Sequence, residues 1–139
     1  MAADKVIYTA KIHTIGGREN GSARSSDGNL DVKLSVPGTG RPGTNPEQLF
    51  AAGWSACFMS AITLLAAKRK ITLSPDRYID AEVDLGTNEE GYLLRARLNV
   101  HLPGVDREAA QSLVNAAHEN TCPYSKATRG NIDVTINLV

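Results

Sequence analysis

The chain is poor in cysteine, poor in aromatic residues and without net charge. Two cysteines in 139 residues are too few for a disulfide scaffold. There is no C-x-x-C, and His13, His101 and His118 are scattered, so the spacing of a zinc site is missing and no metal or other cofactor is expected. Fifteen basic residues cancel fifteen acidic ones. A general nucleic-acid binder needs a basic face to displace counterions from phosphates, and an anionic membrane surface asks for the same, so neither partner is expected. The opening "MAADKVIYTAKIH" has no basic stretch followed by a long apolar one, so no secretory signal is expected. The expected compartment is the reducing cytoplasm, where a thiol pair is more often catalytic or transient than structural. No repeat, linker or low-complexity tract divides the chain, and a single domain over 1–139 is expected.

What is present is patterning. Leu49 to Ala67 is nineteen residues without a charge, close to the length of a membrane span. It is mostly Ala, Gly, Ser and Thr, a weak insertion signal; a helix apolar on all sides can instead be buried in protein. Four stretches alternate cleanly at period two: Leu30–Val36, Ile79–Leu85, Leu94–Val100 and Ile132–Leu138. Val6–Ile12 does so less cleanly. Each would be a strand with one dry and one wet face, as in an antiparallel sheet covered on one side. Turns are expected at 18–21, 25–28 and 88–91. Asn45 with Gln48 suits a helix cap, and Pro46 suits the first turn. That helix would run to about Lys70, its basic triplet Lys68-Arg69-Lys70 complementing the dipole. A second helix would start near Asp106, carry Ala110, Leu113, Val114 and Ala117 on one stripe, and end around Glu119. "NTCPYSKATRGN" is expected to be a loop. The order is three strands, a buried helix, two strands, an amphipathic helix and one strand, hence α+β. One small sheet covers one side of the first helix, and a homodimer with the long helices at its centre would cover the other.

Cys57 sits inside the apolar helix, and Cys122 lies before a proline that forces it extended. Buried cysteine often acts as a small inert hydrophobe, and that role remains open for Cys57. A reactive Cys57 would need a cation, because apolar surroundings raise a thiol pKa. Arg18, Arg24, Arg41 and Arg129 are the candidates, and Arg18 follows the Gly16-Gly17 turn. A buried arginine would want a carboxylate to orient it; Glu47 in the first helical turn could do so, or could simply complement the dipole. Glu47 and Cys57 are about 15 Å apart along a straight helix. Unless Gly53 breaks that helix, Arg18 and Glu47 would reach Cys57 from another subunit.

"TNPEQLFAAGWSACF" (44–58) with "CPYSKATRGNIDV" (122–134) resembles the organic hydroperoxide resistance proteins, the Ohr branch of the OsmC-like family. "GGR" and "SSDGNLDVKLSVPG" (25–38) fit as well, and the likeness runs the length of the chain. The resemblance implies an OsmC-like α+β fold, with antiparallel sheets wrapped around long central helices of an intertwined homodimer. It implies a cytoplasmic thiol peroxidase that reduces organic hydroperoxides. Cys57 would be the peroxidatic cysteine and Cys122 the resolving one, joined as an intramolecular disulfide in the cycle. Arg18 and Glu47 would activate Cys57, and an external dithiol, a lipoylated protein, would restore the thiols. Trp54 departs from the pattern, which has tyrosine there, and a bulkier indole would reshape the substrate pocket. The apolar neighbours Phe50, Trp54, Phe58 and Met59 would offer a greasy approach for alkyl or fatty-acid hydroperoxides; core packing is the competing role for each.

Overall fold

A computed structural model describes residues 3–139. They fall into two compact units, one ending at Pro46 and one spanning Glu47–Val139. The first unit is a three-stranded antiparallel sheet in the order β1-β2-β3, with β1 at Ile12–Ile15, β2 at Ser22–Ser25 and β3 at Asp31–Lys33. The β1–β2 connection is held tight by glycine. A Cβ on Gly21 would lie 2.5 Å from the carbonyl oxygens of both Ile15 and Gly17, closer than any side chain tolerates. Gly21 N–H bonds back to the Gly17 carbonyl at 2.8 Å. The β2–β3 turn is organised by Asp27, which accepts from the Ser25 hydroxyl at 2.6 Å and the Asn29 N–H at 2.9 Å. Two expectations shift here. Residues 6–11 lie outside any strand, with Val6, Ile7 and Tyr8 exposed, so the first strand begins where the sequence pattern ends. Alternation tells which faces an extended segment could present; it does not supply a neighbouring strand. β3 is likewise shorter than its alternating stretch, and Leu34 beyond it makes only an isolated bridge to Thr44.

The second unit is built on α1, Pro46–Lys68. The helix passes through Gly53 unbroken. Its Trp54, Phe58, Ala61, Ile62 and Ala66 are buried, positions that recur every three to four residues. They meet Ala96, Leu98 and Val100 of β5 (Gly91–His101) in one core. β4 (Tyr78–Asn88) pairs antiparallel with β5, through the tight turn expected at 88–91. The outer face of this pair carries a charge ladder: Arg97 grips Asp84 with two bonds of 2.8 and 2.9 Å, and Arg95 adds a third at 2.8 Å. β6 (Asp133–Leu138) runs parallel to β5, so this sheet is mixed where alternation led us to expect an antiparallel one. The helical connection between them returns the chain to the end where β5 began, which a parallel pair requires.

α1 is long and apolar enough to cross a membrane by length and composition, but the core helix of a globular protein passes the same test. Twenty-eight per cent of its apolar window is buried within this chain, so much of the helix surface needs another cover. The helix stops two residues short of the expected Lys70. Lys70 adopts a left-handed φ of 58°, and Ile71 N–H reaches the Ala66 carbonyl at 2.9 Å, closing a Schellman-type end.

The β5–β6 connection departs most from the expected loop. α2 (Arg107–Ala116) is capped by Asp106, whose carboxylate accepts from Ala109 N–H at 3.2 Å. Ala110, Leu113 and Val114 are buried as their spacing requires. The helix then widens into a π-helical turn, Ala117–Thr121, closed by a 2.8 Å bond from Cys122 N–H to the Ala117 carbonyl. Pro123 ends it by forcing Cys122 extended, at φ −74° and ψ 119°. The same proline opens a third helix, α3, Pro123–Thr128. This helix has polar buried positions, Ser125 and Thr128, so no apolar stripe announces it.

Candidate functional site

The two thiols come together between α1 and the α3 start. Both cysteines are free; Cys57 is half-buried and Cys122 is 1% exposed. They lie close enough for each thiol to act on the other. Burial pushes the Cys57 thiol pKa up, and the neighbouring Cys122 thiol pushes the same way. A backbone hydrogen bond from Tyr124 pulls it down but does not win. These local forces therefore favour the thiol over the thiolate.

Aromatic rings pack on one another along α1 and the start of α3. Phe50 stands edge-on to Trp54, with centroids 5.7 Å apart, and edge-on to Tyr124 at 6.2 Å. Trp54 is fully enclosed, whereas Tyr124 is 38% exposed. Gly53, one turn before Cys57 on the same face, lets Tyr124 approach: a Cβ there would lie 2.8 Å from the phenol oxygen. Of the four residues expected along the approach, Trp54 and Phe58 expose no surface in this chain. Phe50 and Met59 are half-buried against the core, and Met59 lies about 200° around the helix from Cys57.

Two residues that the sequence did not single out for this place, Ser125 and His118, lie here with Arg129, one of the four candidate cations. Ser125 is wholly buried. Its hydroxyl lies 2.9 Å from His118 Nδ1 and 3.4 Å from Trp54 Nε1. Arg129 donates to the His118 carbonyl at 2.6 Å. Burial and the Arg129 charge hold the His118 pKa below its ordinary value, against a smaller opposing effect of Glu119. The signal was in the contiguous "CPYS", but a serine three residues past a cysteine reads as loop polarity until α3 is known to turn it inward.

Arg18 lies half-buried in the glycine-bounded β1–β2 turn of the first unit. Glu47 occupies the first turn of α1. Among the described residues no three His, Cys, Asp or Glu side chains cluster as metal ligands would.

This fold and thiol pair place the chain in a known class: residues 38–137 match the OsmC-like protein family, and the chain belongs to it. Relatives of full length sharpen the comparison. The chain is 50% identical to the organic hydroperoxide resistance protein of Xanthomonas axonopodis pv. citri, covering 97% of this chain and 96% of that one. It is 47% identical to organic hydroperoxide resistance protein OhrB of Bacillus subtilis, with 95% and 98% covered. The crystal structure of B. subtilis OhrB superposes with a TM-score of 0.89 at 46% identity, over 96% of this chain and all of that one.

Proposed function

We propose that this protein is a Cys-based peroxidase that reduces organic hydroperoxides to alcohols, in the cytoplasm, as part of organic peroxide detoxification. The observation that carries the proposal is the proximity of the two free thiols, Cys57 and Cys122. It sets a half-buried thiol beside a sequestered one in a chain whose relatives are named for organic hydroperoxide resistance. The Cys57 thiolate attacks the terminal oxygen of ROOH. The O–O bond breaks, the alkoxide takes a proton and leaves as alcohol, and Cys57 becomes a sulfenic acid. The Cys122 sulfur then attacks the Cys57 sulfur. Hydroxide leaves with the Cys122 proton as water, and a disulfide remains. An external dithiol, such as a lipoylated protein, reopens it by exchange. The oxidised sulfur stores the two electrons, so the cycle needs no metal or haem.

Local forces favour the neutral Cys57 thiol, so the thiolate requires a cation. α1 is unbroken from Glu47 to Cys57, a span of about 15 Å, so one arginine held by this chain's Glu47 does not also reach its own Cys57. The uncovered apolar surface of α1 supports a homodimer built on that helix. In the dimer, Arg18 of the partner subunit stabilises the Cys57 thiolate, and the partner subunit's Glu47 orients it. Phe50 and the Tyr124 ring line an apolar approach that suits alkyl and fatty-acid hydroperoxides.

The test is thiol titration of the reduced protein with cumene hydroperoxide. Both thiols of each chain should be lost within seconds. Cys57→Ser should keep its one remaining thiol; Cys122→Ser should lose its one thiol and stall as the sulfenic acid. Arg18→Ala should shift the alkylation pH profile of Cys57 upward. Thiols that survive excess hydroperoxide would refute the peroxidase assignment.

A further inference from the structure

Cys122 sits at a hinge. The π-helical turn before it and α3 after it share no continuous ladder: the Cys122 N–H closes the first, and its carbonyl accepts from Lys126 N–H at 3.0 Å to open the second. α3 has six residues, too few to hold its own direction in water. Two ties span the hinge: the 2.9 Å contact of His118 Nδ1 with Ser125 Oγ, and the 2.6 Å bond from Arg129 to the His118 carbonyl. A third, longer contact from Trp54 Nε1 to Ser125 Oγ, 3.4 Å, joins the hinge to the turn of α1 just before Cys57.

We propose that His118 and Ser125 form a clasp that positions Cys122 for closure onto Cys57, which makes His118 a positioning residue for disulfide formation. The proposal deepens the peroxidase assignment and rests on it for its biological sense. The hydrogen-bond inventory sets the chemistry of the clasp. An indole N–H only donates, so Ser125 Oγ accepts from Trp54; its second lone pair and its single proton are both left for His118 Nδ1. A neutral imidazole completes the pair in either tautomer, with its proton on Nε2 when Ser125 donates and on Nδ1 when Ser125 accepts. The downward shift of the His118 pKa from burial and Arg129 agrees with a neutral ring.

The clasp matters because a sulfenic acid has two fates. It condenses with a thiol, or a second hydroperoxide oxidises it to sulfinic acid. A disulfide demands Cα atoms within about 4.4–6.8 Å and sulfurs at about 2.05 Å. Freedom at the Cys122–Pro123 hinge works against that geometry and gives the second fate time.

The experiment separates closure from peroxide chemistry. Cys57 of the reduced protein is charged with an aryl disulfide, releasing one aryl thiolate. Attack by Cys122 then expels the second aryl thiolate, and its rate is the closure rate. Ser125→Ala and His118→Ala should leave the first release within about twofold and slow the second about tenfold, the scale of one lost buried hydrogen bond. With cumene hydroperoxide the same variants should accumulate sulfinic Cys57 at about tenfold lower concentration. His118→Asn, which keeps an acceptor and a donor near the Nδ1 position, should restore closure to within about threefold of wild type. Second-release rates in His118→Ala equal to wild type would overturn the clasp, and so would an Asn variant as slow as the Ala one. If Ser125→Ala does not fold, the half-buried His118 pair decides alone. Wild-type protein that closes on the aryl disulfide but ignores hydroperoxide would sink the peroxidase assignment and leave the clasp standing.

Discussion

Replacing Gly53 tests how the thiol pocket is packed, because two forces of similar size oppose each other there. Alanine in a helix interior is favoured over glycine by about 0.8–1.0 kcal/mol. Against that, the new Cβ would meet the Tyr124 oxygen at 2.8 Å and the adjoining ring carbon at 3.3 Å. Tyr124 must withdraw by about half an ångström to restore an ordinary contact. The clashing atom is the far end of a partly exposed side chain, so it can yield. What it gives up is its edge-on pairing with Phe50, worth about 0.5–1.5 kcal/mol. Gly53→Ala should therefore leave stability within about 1 kcal/mol of wild type. Gly53→Val adds two more carbons, has poorer helix propensity, and should lose about 1–3 kcal/mol by overpacking. Urea unfolding with the midpoint shifted at constant slope measures both. A loss above about 2 kcal/mol for alanine would mean that Tyr124 is fixed in place. Equal tolerance of valine and alanine would mean that the ring is not in contact with α1 at all.

Two further predictions concern the scaffold. Lys70 carries a left-handed φ of 58° at the end of α1, so Lys70→Gly should stabilise the protein by about 0.5–1 kcal/mol in thermal unfolding, the β-carbon strain outweighing the added chain entropy; an unchanged or lower Tm would refute the strain. Asp84 is held well below the usual carboxylate range by its bonds to Arg97 first and then Arg95. A carboxylate depressed in the folded state contributes stability that is present above its unfolded pKa, about 3.9, and is lost as pH falls toward the folded value. Melting temperatures should therefore fall below about pH 4 in wild type and fall less steeply in Asp84→Asn, while equal slopes would show that the exposed ladder is screened out.

The parts of the fold legible in the sequence are those where one physical signal dominates. Burial at Ala110, Leu113 and Val114 follows from helical spacing, and the β4–β5 hairpin follows from alternation around a polar turn. The start of α1 at Pro46 follows from proline's missing N–H. The expected thiol pair was also legible, because cysteine is rare here and the two motifs are specific. What was not legible depends on contacts between distant residues. The parallel β5–β6 pair is set by the path of the connecting helices rather than by either strand's own pattern. α3 buries a serine and a threonine, so periodicity of apolar residues could not reveal it. His118 and Ser125 look like surface polarity in the sequence; the widened turn and the proline bring them face to face. Met59 looked like a neighbour of Cys57 by number, but two residues along a helix is over half a rotation.

The enclosure of Trp54 has a practical consequence. It is the chain's one tryptophan, so light absorbed beyond the tyrosine band is re-emitted by a single indole sealed three residues from Cys57. Sulfur quenches such light, and opening of the hinge would admit water and redden it. The protein thus carries its own lamp at the place where its chemistry is expected, and a spectrofluorimeter can watch each turnover without any added dye.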